Sequence, residues 1–294
     1  MKAVSRTNSS VLMRIIIYFV LIVFSASVVL PFLNIISVSL SSAGPVARGE
    51  VTFYPRQITL KPYKVVVEND SIYQAYKNTL FVVALGTVSC LFMTLLAAYP
   101  MSKKTLPGRR WIMFLITLTM WFSGGMIPTF LVVRGVGLYN SLFALFVPTL
   151  ISAYHVIVVR NFFETIPTSL EESAKIDGAG DFRILFMIFI PLSMPVIATV
   201  SLWLAVGLWN SFFAPLLYLA ERSKYTLQVV LRDIVLANQA IGYGMEARVE
   251  DDVEVIPESI RNATILFSTI PILLVYPFLQ RYFIKGVLLG AVKE

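Results

Sequence analysis

Glu171 and Glu172 stand side by side in the stretch "PTSLEESAKIDGAG", Pro167 to Gly180, with Lys175 and Asp177 close behind. Two carboxylates this close behind Thr168 and Ser169 suit the start of a helix. Thr168-x-x-Glu171 and Ser169-x-x-Glu172 both have capping-box spacing, in which a hydroxyl and a carboxylate satisfy first-turn amides reciprocally. Early carboxylates also suit the positive end of the helix dipole. Asp177-Gly178 and Gly180 supply a stop. The pattern therefore predicts a capped helix of about two turns, too short to persist unless it docks. Ala174 and Gly178 put two small residues on one face, Ile176 and Ala179 offer apolar contact, and Lys175 is expected to point elsewhere. Docking onto protein fits this small-faced, acidic segment better than lying on lipid headgroups, where basic polar faces opposite large apolar residues are usual.

The other groups that could do chemistry are scattered. His155, with Arg160 beyond it, could relay protons or simply be a hydrogen-bonded residue at a helix interface. One histidine and one cysteine, Cys90, make no metal cluster. Cys90 sits in an apolar run and reads as a small buried residue. Asp251, Asp252 and Glu254 read as a solvated loop rather than paired catalytic carboxylates. The dipeptide Gly-Lys does not occur, so a phosphate-binding G-x-x-x-x-G-K-[ST] loop cannot be built. No G-x-S-x-G elbow occurs either. The expectation is a chain that is not an enzyme, with no cofactor or metal of its own.

The elements that position these residues are mostly apolar. Of 294 residues, 57% are hydrophobic and 14% charged, and the mean hydropathy is +0.78. Soluble domains carry about 25% charged residues. A membrane span needs roughly 20 apolar residues, and six segments qualify: 14–40, 78–101, 111–133, 141–163, 184–208 and 263–284. The apolar run after Lys2, Arg6 and Arg14 exceeds the length of a signal core and reads as an uncleaved anchor. Basic residues cluster in the leader (1–13), in "SKKTLPGRR" (102–110) and in the tail, and the loop 164–183 carries Lys175 and Arg183. By the positive-inside rule these are cytoplasmic. The net charge of +7 is thereby explained by topology, without nucleic acid. The expected fold is all-α: a leader and a single membrane domain (14–294), six transmembrane helices, cytoplasmic termini and a short cytoplasmic helix between the fourth and fifth. Prolines interrupt four spans: Pro128, Pro148, Pro191 with Pro195, and Pro271 with Pro277.

A family resemblance then becomes specific. Glu172-Ser173-Ala174, Gly178 and Ile188-Phe189-Ile190-Pro191 resemble the EAA loop of permease subunits in binding-protein-dependent ABC importers. That pattern is Glu-Ala-Ala, three residues, Gly, nine residues, Ile-x-Leu-Pro; the spacing fits throughout, with mild departures at Ser173 and Ile190. "IDGAG", "IPLSMP", "GLWNSFFAPLLYL" and "RYFIKGVLLGAVKE" are similar to the carbohydrate-uptake branch, and "SGGMIPTFLVVRGVGLYNS" resembles its polysaccharide and alginate sub-branch. The likeness covers most of the chain from about residue 75 onward.

The resemblance implies an inner-membrane permease driven by ATP and Mg on two partner ATPase subunits. Its other partners would be a homologous second permease, an extracytoplasmic solute-binding protein, membrane lipid and an oligosaccharide, acidic and uronide-like or else neutral. Glu171, Glu172, Ser173, Ala174, Asp177, Gly178 and Pro191 would form the ATPase-coupling segment. Aromatic and amide groups at Tyr154, Trp203, Trp209, Asn210 and Phe213 could line a solute path, or could belong to an interfacial belt. Arg134, Arg222, Lys224 and Arg232 in the outer loops could steer an acidic sugar or contact the binding protein. The competing class is a self-contained secondary transporter, which would need midplane charges that the span centres lack.

Overall fold

The computed structural model describes residues 7–236 and 256–291. Regular structure among them is helical, apart from one antiparallel bridge between Ser41 and Ile58. We label the main helices α1 (Thr7–Ser39), α2 (Asp70–Ser102), α3 (Arg109–Trp121), α4 (Met126–Gly135), α5 (Ala153–Phe163), α6 (Thr168–Ile176), α7 (Met194–Trp209) and α8 (Pro257–Ala291). The chain divides into two compact units, residues 1–69 with 233–269, and residues 70–232 with 270–294.

The first unit contains α1, two short helices (Ala43–Ala47 and Lys61–Val67) and the start of α8. Large side chains of α1 from Ile15 to Val29 are exposed, which an apolar solvent tolerates and water does not. The end of α1 is fixed locally. Ser39 Oγ and Tyr63 Oη share a hydrogen bond of 2.8 Å, and Val38, Val46 and Val51 form a small core.

In the second unit α7 and α5 pack along α2. Gly86 makes that approach possible, because a Cβ there would lie 2.7 Å from Leu208 Cδ1 and 3.1 Å from Phe146 Cβ. The core runs through Leu95, Ala98 and Tyr99 of α2, Val156, Val159 and Phe163 of α5, Ile184, Leu185 and Phe189, and Val196 and Val200 of α7. Cys90 is buried, as its apolar context predicts, with Sγ 3.8 Å from the Thr149 carbonyl.

Two helical stretches, Met13–Ser39 and Asp70–Ser102, are long and apolar enough to cross a membrane unbroken. Three expected spans are broken. α3 and α4 meet at 113°, the helical segments Leu142–Thr149 and α5 at 52°, and Asp181–Leu192 and α7 at 86°. Each break has a local cause. Gly125, at φ 83° and ψ 174°, takes a conformation closed to other residues, and Pro128 then falls in the first turn of α4, where its missing N–H would be unpaired anyway. Pro148 sits in a short 3₁₀ turn. Leu185–Phe189 widens into a π-helix just ahead of Pro191, whose absent N–H frees a carbonyl one turn earlier. The expected interruption at Pro271 and Pro277 is corrected: α8 continues through both. The expected segment 263–284 lies within α8. The carboxylates Asp251, Asp252 and Glu254 lie outside the described residues.

Candidate functional site

The polar segment singled out in the sequence forms α6, nine residues long. Its stop follows the expected chemistry. Gly178 is left-handed at φ 76°; its N–H donates to the Lys175 carbonyl at 3.0 Å, and the Ala179 N–H donates to the Ala174 carbonyl at 2.9 Å. That bond pair is a Schellman closure. A Cβ on Gly178 would meet nothing within 4 Å, so glycine is needed for φ and not for close approach.

Its start departs from expectation. Pro167 is the N-cap and no side chain caps the first turn. Glu171 is recruited elsewhere. It accepts a close hydrogen bond from Lys103 Nζ and another from Lys175 Nζ at 2.8 Å. Lys175 therefore points toward Glu171, against expectation. An internal carboxylate flanked by two ammonium groups gains more there than at a water-exposed cap, where solvent competes.

Lys103 sits just past the end of α2, above two aromatic rings. Its Nζ is 4.1 Å from the centroid of Tyr99 and 4.2 Å from that of Phe189. Those rings meet edge-to-face at 5.1 Å, and Phe163 joins Phe189 the same way at 5.3 Å. Burial pulls the Lys103 ammonium below the ordinary lysine value, against the opposing pull of Glu171. Burial by itself raises the Glu171 carboxyl, but Lys103 and Lys175 outweigh it and hold it below the ordinary carboxylate value.

α6 thus has two faces. Glu171 with Ala174, and Ala179 just beyond the helix, turn toward the core of α2, α5 and 184–200. Glu172, Ser173, Asp177 and Gly178 are exposed, as is Pro191 further along. Ile176, expected to make apolar contact, is 87% exposed. Beside α6, Glu164 joins Arg109 and Arg160 in one ion cluster, and Arg109 Nε donates to the Met101 carbonyl at 2.8 Å. Sequence reasoning missed Lys103 and this cluster. Lys103 is legible only as a topological charge, because its partner lies 68 residues away.

The expected solute-path residues are only partly brought together. Tyr154 and Trp203 rings lie 5.6 Å apart, and His155 stacks on Trp203 at 6.1 Å. His155 Nδ1 is buried without a hydrogen-bond partner among the described residues. Trp209 is buried on another side of α7, edge-on to Tyr76 at 5.9 Å. Asn210 caps α7 and donates to the Val206 carbonyl at 3.0 Å. Phe213 is exposed.

Residues 91–287, which contain α6 and the whole aromatic seat of Lys103, match the family described as binding-protein-dependent transport system inner membrane component. The chain belongs to this family. It is thereby a multi-pass permease subunit of the bacterial inner membrane. It is 43% identical over 285 residues to a polygalacturonan/rhamnogalacturonan transport system permease protein of Bacillus subtilis, covering 96% of this chain and 98% of that one. A crystal structure of a bacterial ABC transporter involved in the import of the acidic polysaccharide alginate contains a chain that superposes with TM-score 0.87 at 33% identity, covering 96% of this chain and all of that one. A chain of a bacterial alginate ABC transporter, in complex with alginate pentasaccharide-bound periplasmic protein, superposes with TM-score 0.58 at 17% identity over 92% of this chain, a likeness of fold alone.

Proposed function

We propose that this chain is the permease subunit of an ABC importer for an acidic oligosaccharide. It would pair with a homologous second permease and two cytoplasmic ATPase subunits that bind ATP and Mg, and receive solute from an extracytoplasmic binding protein. α6 is the coupling helix. The observation that carries this reading is its division of labour. Its inner face is tied to the bundle through Glu171 and Lys103, while Glu172, Ser173 and Ile176 are left uncovered. A uncovered isoleucine beside a carboxylate suits a groove with an apolar floor and a basic rim.

ATP-driven closure of the ATPases would press on that outer face. The push would reach α2 through the Glu171–Lys103 pair, and the 184–200 segment through Ala174 and Ala179. The π-helix at Leu185–Phe189 and the 86° bend before α7 give that segment a place to flex. Tyr154 and Trp203 would offer ring faces to passing sugar units.

The acidic substrate is supported by two of the likenesses above 30% identity, one to a polygalacturonan/rhamnogalacturonan permease and one to a chain of an importer of an acidic polysaccharide. The test is uptake by proteoliposomes carrying the whole complex, with uronate oligosaccharides set against neutral ones of equal length. Uptake of the uronate series that needs ATP and binding protein is expected. Uptake of neutral sugars only would overturn the substrate class. Uptake by this chain alone, without ATP, would favour a self-contained transporter.

A further inference from the structure

Beyond the coupling helix, the loop between α2 and α3 forms a second polar site that this function does not use. A cavity of about 630 Å³ opens there, and Lys104, Arg109, Arg110, Trp111, Met113 and Arg160 are among its lining. Four cations share one local carboxylate, Glu164, which is already engaged by Arg109 and Arg160. Lys104 and Arg110 have no carboxylate partner among the described residues. Arg160 Nε is buried, and no hydrogen-bond partner for it exists among the described residues. Like charges held this close repel unless an anion joins them.

Three further features say what kind of anion. α3 starts at this cavity on Gly108 (φ 71°), with no acidic residue in its first turn and no side-chain cap, so its positive end adds to the arginines. Trp111 is 73% exposed at the rim, where an indole suits the boundary between headgroups and acyl chains. α3 buries none of its residues, and Phe114 and Leu115 continue an exposed apolar track away from the cations. A phosphate-type anion with an apolar tail meets all three conditions. Basic pockets beside membrane helices take such headgroups.

We propose that this cavity binds the phosphate group of an anionic phospholipid, with the acyl chains lying along α3. Lys103 and Lys104 are neighbours, so the lipid steadies the same loop that holds Glu171. A stabilising effect on α6 follows from that adjacency.

The test reads bound lipid and needs neither ATP nor sugar, so it stands or falls apart from the transport reading. The transporter, purified in its native assembly from membranes containing phosphatidylglycerol, is analysed by native mass spectrometry. The variant Lys104→Gln/Arg110→Gln is compared with Lys61→Gln/Lys64→Gln, two lysines remote from the cavity in sequence. About tenfold less retained phosphatidylglycerol is expected in the first variant and no change in the second, each lost cation weakening headgroup attraction severalfold. Equal retention in all three proteins overturns the proposal. So does protection by inorganic phosphate equal to that by the lipid, which would make the site one for a free anion. Loss of a protein subunit without loss of lipid overturns it too, by making the patch a subunit contact. If the double variant does not assemble, brominated phosphatidylglycerol added to the native protein replaces it. Quenching that disappears on Trp111→Phe supports the site, and quenching that Trp111→Phe leaves unchanged overturns it.

Discussion

Lys103 donates to Glu171 across 68 residues of chain while its ammonium rests on the rings of Tyr99 and Phe189. This pair ties the coupling helix to the end of α2. Both side chains are largely covered, 17% and 13% exposed, so neither charge is left to water if its partner is removed.

Glu171→Ala should therefore loosen α6 by about 1–3 kcal/mol, mostly through the stranded Lys103, and Lys103→Ala by less, because Glu171 keeps Lys175. Faster amide exchange over 168–178 in the assembled complex, with reduced uptake, is the expected result. The charge swap Lys103→Glu/Glu171→Lys should not rescue it. A carboxylate at 103 would sit against the negative faces of two rings, where an ammonium is attracted. Full rescue by the swap would show that simple charge pairing suffices.

Gly178 isolates backbone conformation from packing. Gly178→Ala should destabilise the stop by about 1–2 kcal/mol, the left-handed penalty, with no steric addition because the space beyond is open. Gly178→Asn should be milder, since asparagine tolerates that conformation. Gly178→Pro should be worst, because it loses both the positive φ and the N–H bonded to Lys175. Uptake and ATPase stimulation in proteoliposomes should fall least for Gly178→Asn, more for Gly178→Ala and most for Gly178→Pro.

Glu172 is exposed and should matter only with a partner present. Glu172→Lys is expected to leave the chain's insertion and folding unchanged while abolishing binding-protein-stimulated ATP hydrolysis. Normal hydrolysis in that variant would remove Glu172 from the coupling contact.

The folded Glu171 carboxyl lies below its ordinary value, so its contribution is complete above the unfolded value of about 4.3 and fades as pH falls through the lower folded value. A spin label on Ser173→Cys should be immobile from neutral pH down to that point and gain mobility below it. Glu171→Gln should flatten the profile. A transition centred near neutrality would assign the effect to another group.

Gly86→Ala tests the α2–α7 contact. A Cβ would overlap Leu208 Cδ1 and crowd Phe146, so a loss of about 1–3 kcal/mol is expected. Thermal unfolding of the detergent-solubilised protein measures it, and Gly86→Ala/Leu208→Ala should recover part of the loss.

The sequence by itself determined the membrane class, the place of the short helix and its stop. These follow from local physics. Apolar runs need a lipid solvent, and a helix that ends on Asp177-Gly178 ends there because only glycine takes φ 76° without strain. It also placed most of the span breaks, since proline removes a backbone donor wherever it lies. It could not decide what Glu171 does. Two capping boxes were equally available to it, and neither forms. The outcome depends on Lys103 being carried to the same spot by the packing of α2 against α5 and Phe189, a long-range fact with no local signature. The faces of α6 were settled in the same way. Ile176 is apolar yet 87% exposed, and Glu171 is charged yet covered, because the tertiary arrangement supplies an ammonium on one side and leaves the other open.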